Sequence, residues 1–189
     1  MNTEEIKQFI AGEAWHSIAP ELRPSSIKNP DGSIKPFYLS RTFLYLPGDG
    51  FELTIHNYAD PFGKVPLAKL FIKGHMEWKG EHPIADGAQK VDFIADENYT
   101  VTPIHAGFVD LLNNVTKGFN PWMANEGQSI FKKAFAPFGL AEGQVFMEYD
   151  LIHISGGLMF WGARHVDGRG FDSDENRPTN LQIPLMRQG

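Results

Sequence analysis

Apolar and polar positions alternate with period two through much of this chain, most clearly between residues 51 and 78. Phe51-Glu-Leu-Thr-Ile-His56 alternates strictly. Beyond it Ala68, Leu70, Ile72, Gly74, Met76 and Trp78 share one side, while Lys69, Phe71, Lys73, His75 and Glu77 share the other. A strand sends successive side chains to opposite faces, so this pattern predicts an antiparallel sheet with one face in a core and one mostly wet. Between the two stretches, the Pro and Gly residues of Tyr58-Ala-Asp-Pro-Phe-Gly-Lys-Val-Pro66 force a turn or bulge.

The rest of the chain supplies strands for the same sheet and helices to close it. Residues 3–14 predict a short amphipathic helix capped by Thr3, with Glu4 and Glu5 in its first turn and Ile6, Phe9 and Ile10 on one face. Loop or hairpin chemistry fills 25–36, with Asp31-Gly32 at the tip, and 37–46 pairs with the Phe51 strand across Pro47-Gly-Asp-Gly50. Separate strands are expected at 89–95 and 99–105. Phe108, Leu111, Leu112 and Val115 then fall at helical spacing, predicting a helix over 106–117 stopped by Gly118. Ile130, Phe131, Ala134 and Phe135 predict a second helix over 128–136, ended by Pro137. Two long strands, 145–154 and 158–164, flank Ser155-Gly-Gly157, and a polar, turn-rich tail runs from Val166. An open sheet of seven or eight strands tends to curl, and closure removes its edges. The expectation is a mainly β chain forming a single domain over 1–189: a small antiparallel barrel, or alternatively a β-sandwich, with an N-terminal helix and a two-helix insertion before the last strands.

Composition narrows the partners. With 189 residues, 42% of them hydrophobic, the chain can bury a substantial core, and its fifteen Phe, five Tyr and four Trp imply an aromatic interior or an aromatic-lined pocket. The net charge is −6 with cations scattered, so no nucleic-acid partner is expected. There is no cysteine, which excludes disulfides and fits a reducing compartment. The first ten residues are polar and acidic where a signal peptide is basic and then apolar, and no apolar run approaches the roughly 20 residues of a membrane span. A soluble cytoplasmic protein is expected.

One succession of motifs carries a family resemblance. It runs Trp15-x5-Glu21-x-Arg23-Pro24, Arg41-Thr-Phe43, Tyr58-x-Asp60-Pro61-x4-Pro66, Gly74, Gly87-Ala88, Asp92 and Arg177-Pro-Thr-x-x-Gln182-x-Pro184-Leu185. Over residues 15–105 and 158–185 the sequence resembles the lipocalin-like (APCDDC-type) domain of the animal Wnt antagonist called adenomatosis polyposis coli down-regulated. The resemblance implies a lipocalin-like, calycin-type barrel whose apolar pocket takes an acyl chain. The family's animal members are secreted or membrane-tethered and disulfide-bonded. This cysteine-free chain has Pro20 and Gly63 in neighbourhoods where cysteines are expected, so the barrel carries over and Wnt binding does not. In calycin barrels an arginine packs over a tryptophan near the closed end, and Trp15 with Arg177 is the expected pair.

Chemical motifs are sparse. The seven histidines form no His-x-His, His-x-x-x-His or His-Glu-x-x-His, so no metal is expected. By alternation His56 and His75 point outward, whereas His105 and His153 are the better pocket candidates. Arg23, Arg41 and Arg177 have two readings, packing over a tryptophan as in calycin barrels or binding a ligand carboxylate bidentately at the barrel mouth, and Glu21 beside Arg23, as a neutralising partner, weakens the second. Asp60 suits an Asx-type turn. Glu148 and Asp150 share a face with Phe146, Ile152 and Ile154, a face that is either pocket or exterior. Nucleophile and phosphate-loop motifs are absent, and no cofactor is expected.

Two functions follow. In the first, a barrel pocket lined by Leu70, Ile72, Met76, Trp78, Met159 and Trp161, with Arg23 and Arg41, binds a small apolar ligand such as a fatty acyl or polyketide-like molecule under a lid made by the two inserted helices. In the second, the same pocket is a cofactor-free cyclase or isomerase, with Tyr58, His105, His153 and Glu148 as acid–base candidates. A third possibility is a filled barrel whose outer surface binds a protein. Oligomeric state is left open.

Overall fold

The computed structural model describes residues 1–165 and 167–187, with the side chains of residues 25–27 also outside the description; Val166, where the expected tail begins, is therefore not characterised. The chain opens with α1 (Thr3–Ile10), capped by Asn2 and not Thr3: the Asn2 side chain accepts from the Glu5 amide while the Glu5 carboxylate accepts from the Asn2 amide. Then come β1 (Ala14–Ser17), β2 (Glu21–Lys28), β3 (Ile34–Tyr45), β4 (Gly50–Tyr58), β5 (Pro66–Glu81) and β6 (Gln89–Pro103). After α2 (Ala106–Val115) follow β7 (Gln128–Ser129), β8 (Met147–Ser155), β9 (Leu158–Phe160) and β10 (Leu185–Arg187).

All the strand pairs are antiparallel, in the order β1-β10-β9-β8-β6-β5-β4-β3-β2, with β7 on β6. Strand β1 pairs with both β10 and β3, so a four-residue strand joins the two flanks and the sheet nearly closes into a ring. The period-two alternation sets what lies inside: Phe43, Tyr45, Phe51, Leu53, Leu70, Ile72, Met76, Val91 and Phe93 are buried in one core. One glycine is obligatory. A Cβ on Gly74 would sit 1.9 Å from the Ile94 carbonyl oxygen, where the β5–β6 ladder shifts register. That bulge lets 89–103 run as one strand past the exposed Asp96 and Glu97, where two strands were expected.

The two ends of the ring differ. At one end α1 forms a plug: Ile6 and Ile10 are fully buried, each contributing roughly 1.5–3 kcal/mol, and the Trp15 indole donates to the Ile10 carbonyl. Phe43, Tyr45, Phe51, Phe93 and Trp161 pack solidly behind it, with Phe43–Trp161 ring centroids 4.1 Å apart and Phe93–Trp161 4.3 Å apart. The expected arginine–tryptophan contact exists here, but with a different arginine. Arg187 of β10 lies 5.0 Å from the Trp15 ring and 4.1 Å from Phe9, and donates to the Phe9 carbonyl. Arg177 instead bonds Asp92 and Asp174 over the Tyr149 ring on the outer face, because the segment before it folds over β6 and β8.

At the other end lies the insertion between β6 and β8. It carries one α-helix, not two. Over 128–136 the chain forms β7 and then a loop, with Lys132 at a φ of 55° that no α-helix accommodates. Ile130 and Phe135 are nonetheless buried, because the Ile130 amide donates to Tyr99 O and Phe135 packs among Phe119, Trp122 and Phe138. No helix among the described residues is long and apolar enough to cross a membrane.

Candidate functional site

Away from the plug, the ring is hollow. Leu39, Leu53, Ile55, Leu70, Ile72 and Tyr99 wall a cavity of about 370 Å3, Phe138 and Phe146 lean over it from the insertion, and Arg164, Phe171 and Asp172 flank it. This volume falls within the roughly 300–1,000 Å3 of small-molecule sites. The arrangement follows from β3: Phe37, Leu39, Arg41, Phe43 and Tyr45 are in phase, so its upper half fills the plugged end and its lower half faces space.

Charged side chains intrude into this apolar wall. Glu21 and Arg23 of β2 and Arg41 of β3 all point inward and are 4%, 3% and 6% exposed. One oxygen, Glu21 Oε1, accepts from Arg23 Nη2 at 3.1 Å and lies 2.9 Å from Arg41 Nη2. Arg41 also lies 5.4 Å from the Trp161 ring, which closes the floor. Burial, and then the neighbouring Arg41 charge, push the Arg23 pKa down to about 10. Burial also works against the Arg41 charge, but the Glu21, Glu148 and Asp150 carboxylates outweigh it and its pKa is raised. The two guanidiniums move in opposite directions because three carboxylates surround Arg41, whereas Arg23 has the like charges of Arg41 and Arg164 beside it. Arg23 Nε and Nη1 are buried with no hydrogen-bond partner among the described residues.

On the opposite wall, β8 turns Glu148 and Asp150 inward, so their shared face is interior. Glu148 lines the cavity with its Oε1 3.7 Å from Arg164 Nη2. Asp150 lies deeper, fully buried, its Oδ1 accepting from the Leu151 and Gly162 amides at 2.8 and 2.9 Å while Oδ2 has no partner among the described residues. Burial, reinforced by the Glu148 charge, raises its pKa to about 7.

Other residues singled out from the sequence fall elsewhere. Of the apolar set, Leu70 and Ile72 line the cavity and Trp161 lies beneath it. Met76, Trp78 and Met159 belong to the plugged end: Met159 accepts from the Tyr45 hydroxyl, and the Trp78 indole donates to Asp49. Of the acid–base set, Glu148 alone borders the cavity. His105 is exposed and caps α2, its Nδ1 accepting from the Gly107 amide, because the strand ends two residues earlier. His153 lies on the face of β8 opposite Glu148, where burial and then the N-terminal amine lower its pKa. Tyr58 is on the outer face of β4, bonded to Ser40 Oγ. Asp60 makes the expected turn, accepting from the Phe62, Lys64 and Val65 amides.

Several cavity residues were not picked out from the sequence: Leu39, Leu53, Ile55, Tyr99, Phe138, Phe146 and Arg164. Two strands show how phase could have found them: Leu39 is in step with Arg41 on β3, and Leu53 and Ile55 stand opposite the chosen Ile72 and Leu70 across the β4–β5 ladder. Among the described residues no group of three or more His, Asp or Glu side chains is placed to hold a metal ion. No protein-family model matches the sequence, and comparison with curated proteins returns no match.

Proposed function

We propose that this chain is a lipocalin-like barrel, akin to the Wnt-antagonist domain named above, that binds a small and largely apolar molecule of the fatty-acyl or polyketide-like kind. The observation that carries the reading is the hollow half of the ring, where an apolar wall of aliphatic and aromatic side chains surrounds about 370 Å3 while the other half is packed solid. A structural barrel has no need to leave one half empty, because Leu and Phe side chains pack to the density of organic crystals wherever they can. Phe138 and Phe146, held by edge and stacking contacts to Tyr99, form the lid in this account. A cysteine-free chain suits a reducing, cytoplasmic setting, which belongs to the same proposal.

The direct test is to fill the space. Leu70→Trp places an indole ring in the cavity from the first half of β5. Wild-type protein should bind medium-chain fatty acids saturably by calorimetry, and the variant should bind at least roughly tenfold more weakly with an unchanged far-UV circular dichroism spectrum. Equal binding by the two proteins would exclude this cavity as the site.

A second reading, a cofactor-free cyclase or isomerase, has one observation behind it: Glu148 at the wall with Asp150, of pKa about 7, two residues further along the same face. Turnover of a ligand extracted from the protein, abolished in Glu148→Gln, would support it. Intact ligand after prolonged incubation leaves a carrier.

A further inference from the structure

We propose that the molecule held in this cavity carries a monoanionic carboxylate head, seated on the Arg23 guanidinium, with its apolar body lying toward Phe138 and Phe146. The inference rests on the carrier reading and deepens it by naming the ligand's chemical class. Its basis is an imbalance of donors. The cavity wall holds two buried guanidiniums, and Glu21 offers both of them the same oxygen. Arg23 is 3% exposed, yet Nε and Nη1 donate to nothing among the described residues. Buried donors are almost always satisfied, and a charged one left unpaired is costly.

Guanidinium geometry then selects the partner. Nη2 carries two hydrogens, one beside the Nε hydrogen and one beside an Nη1 hydrogen. Glu21 Oε1 takes one of them. Whichever it takes, the other forms a two-pronged fork with a neighbouring free N–H, and a fork of this kind matches the two oxygens of a carboxylate. The charge balance argues against a doubly charged head. Around the cavity Arg23, Arg41 and Arg164 already stand against Glu21, Glu148 and Asp172, so a carboxylate leaves one negative charge in excess and a dianion leaves two. An alcohol or ester head offers no charge to the fork.

The test compares dodecanoic acid, dodecanol and dodecyl phosphate on the wild-type chain near neutral pH, with Arg23→Gln and Arg23→Lys alongside. The acid should bind roughly tenfold or more tightly than either of the others. Arg23→Gln should bind acid and alcohol alike, and Arg23→Lys, with the charge but no fork, should keep only part of the preference. Equal affinity of wild type for acid and alcohol, tighter binding of the phosphate, or a preference that survives intact in Arg23→Gln overturns the head-group assignment while leaving the apolar cavity in place. Failure of all three probes to bind overturns the carrier reading as well. If Arg23→Gln does not fold, the three-probe comparison on wild type decides alone.

Discussion

Replacing Glu21 by glutamine changes little in shape but removes a charge that two buried guanidiniums share. Glu21, Arg23 and Arg41 are each no more than 6% exposed, so water cannot substitute for the lost carboxylate without opening the wall. Breaking a buried ion pair by removing one partner costs about 3–5 kcal/mol, because the surviving charge is left uncompensated in a poor solvent. Here two charges survive, at 3.1 and 2.9 Å from the position the carboxylate oxygen held, so the upper part of that range is expected. For a domain of this length that corresponds to a fall in melting temperature of roughly 6–20 °C. Urea unfolding followed by circular dichroism gives the free energy, and scanning calorimetry the midpoint. Arg23→Gln added to Glu21→Gln should recover part of the loss, since one guanidinium fewer is stranded. A loss below about 1 kcal/mol for Glu21→Gln, the range of an exposed pair, would refute the placement of these groups in a dry wall.

Three further outcomes follow from the same geometry. Asp150 holds its proton more tightly in the folded state, with a pKa of about 7 against 3.8, so its contribution to stability is full below the lower value and is lost as pH rises through the upper; in urea melts Asp150→Asn should flatten the decline between those pH values and be the more stable protein above neutrality. A Cβ on Gly162 would lie 1.9 Å from Pro178 Cγ and 2.5 Å from Asp150 Oδ1, so Gly162→Ala should cost about 1–3 kcal/mol or more by urea unfolding and disturb the Asp150 site. Arg187→Ala removes the cation over Phe9 and Trp15 together with its ion pair to Glu13, and should destabilise the plugged end by about 1–2 kcal/mol, read as a lowered thermal midpoint without loss of ligand binding.

The sheet was largely legible in the sequence because period two is a local signal. Phe51 to His56 pairs with Lys69 to Gly74 in the register that their alternation implies, with Leu53 opposite Ile72 and Ile55 opposite Leu70. The inserted segment was harder. Ile130, Phe131, Ala134 and Phe135 have helical spacing, but Ile130 and Phe135 find burial through a bridge to Tyr99 and an aromatic cluster, which no local pattern encodes. Nor does spacing reveal which arginine will meet Trp15. That depends on β10 returning beside β1, a pairing between residues near opposite ends of the chain.

The candidate site was legible in phase but not in depth. Arg41 sits in step with Phe37, Leu39, Phe43 and Tyr45, so its inward direction could be read from the sequence, as could that of Leu70, Ile72, Met76 and Trp78. Which of these face empty space depends on where α1 enters the ring. The plug sits at the Met76–Trp78 end of β5, and the cavity opens at Leu70 and Ile72 instead. His105 illustrates the converse: its face was read from a strand that ends two residues before it.

Gentle purification followed by native mass spectrometry, beside a denaturing run of the same sample, tests the central claim most directly. An occupied cavity predicts a mass excess over the chain that disappears on denaturation, with an apolar carboxylic acid recovered by extraction, and the same excess regained when stripped protein is given fatty acids of medium length. A mass equal to that of the bare chain, unchanged after incubation with acids of several lengths, would contradict the carrier account.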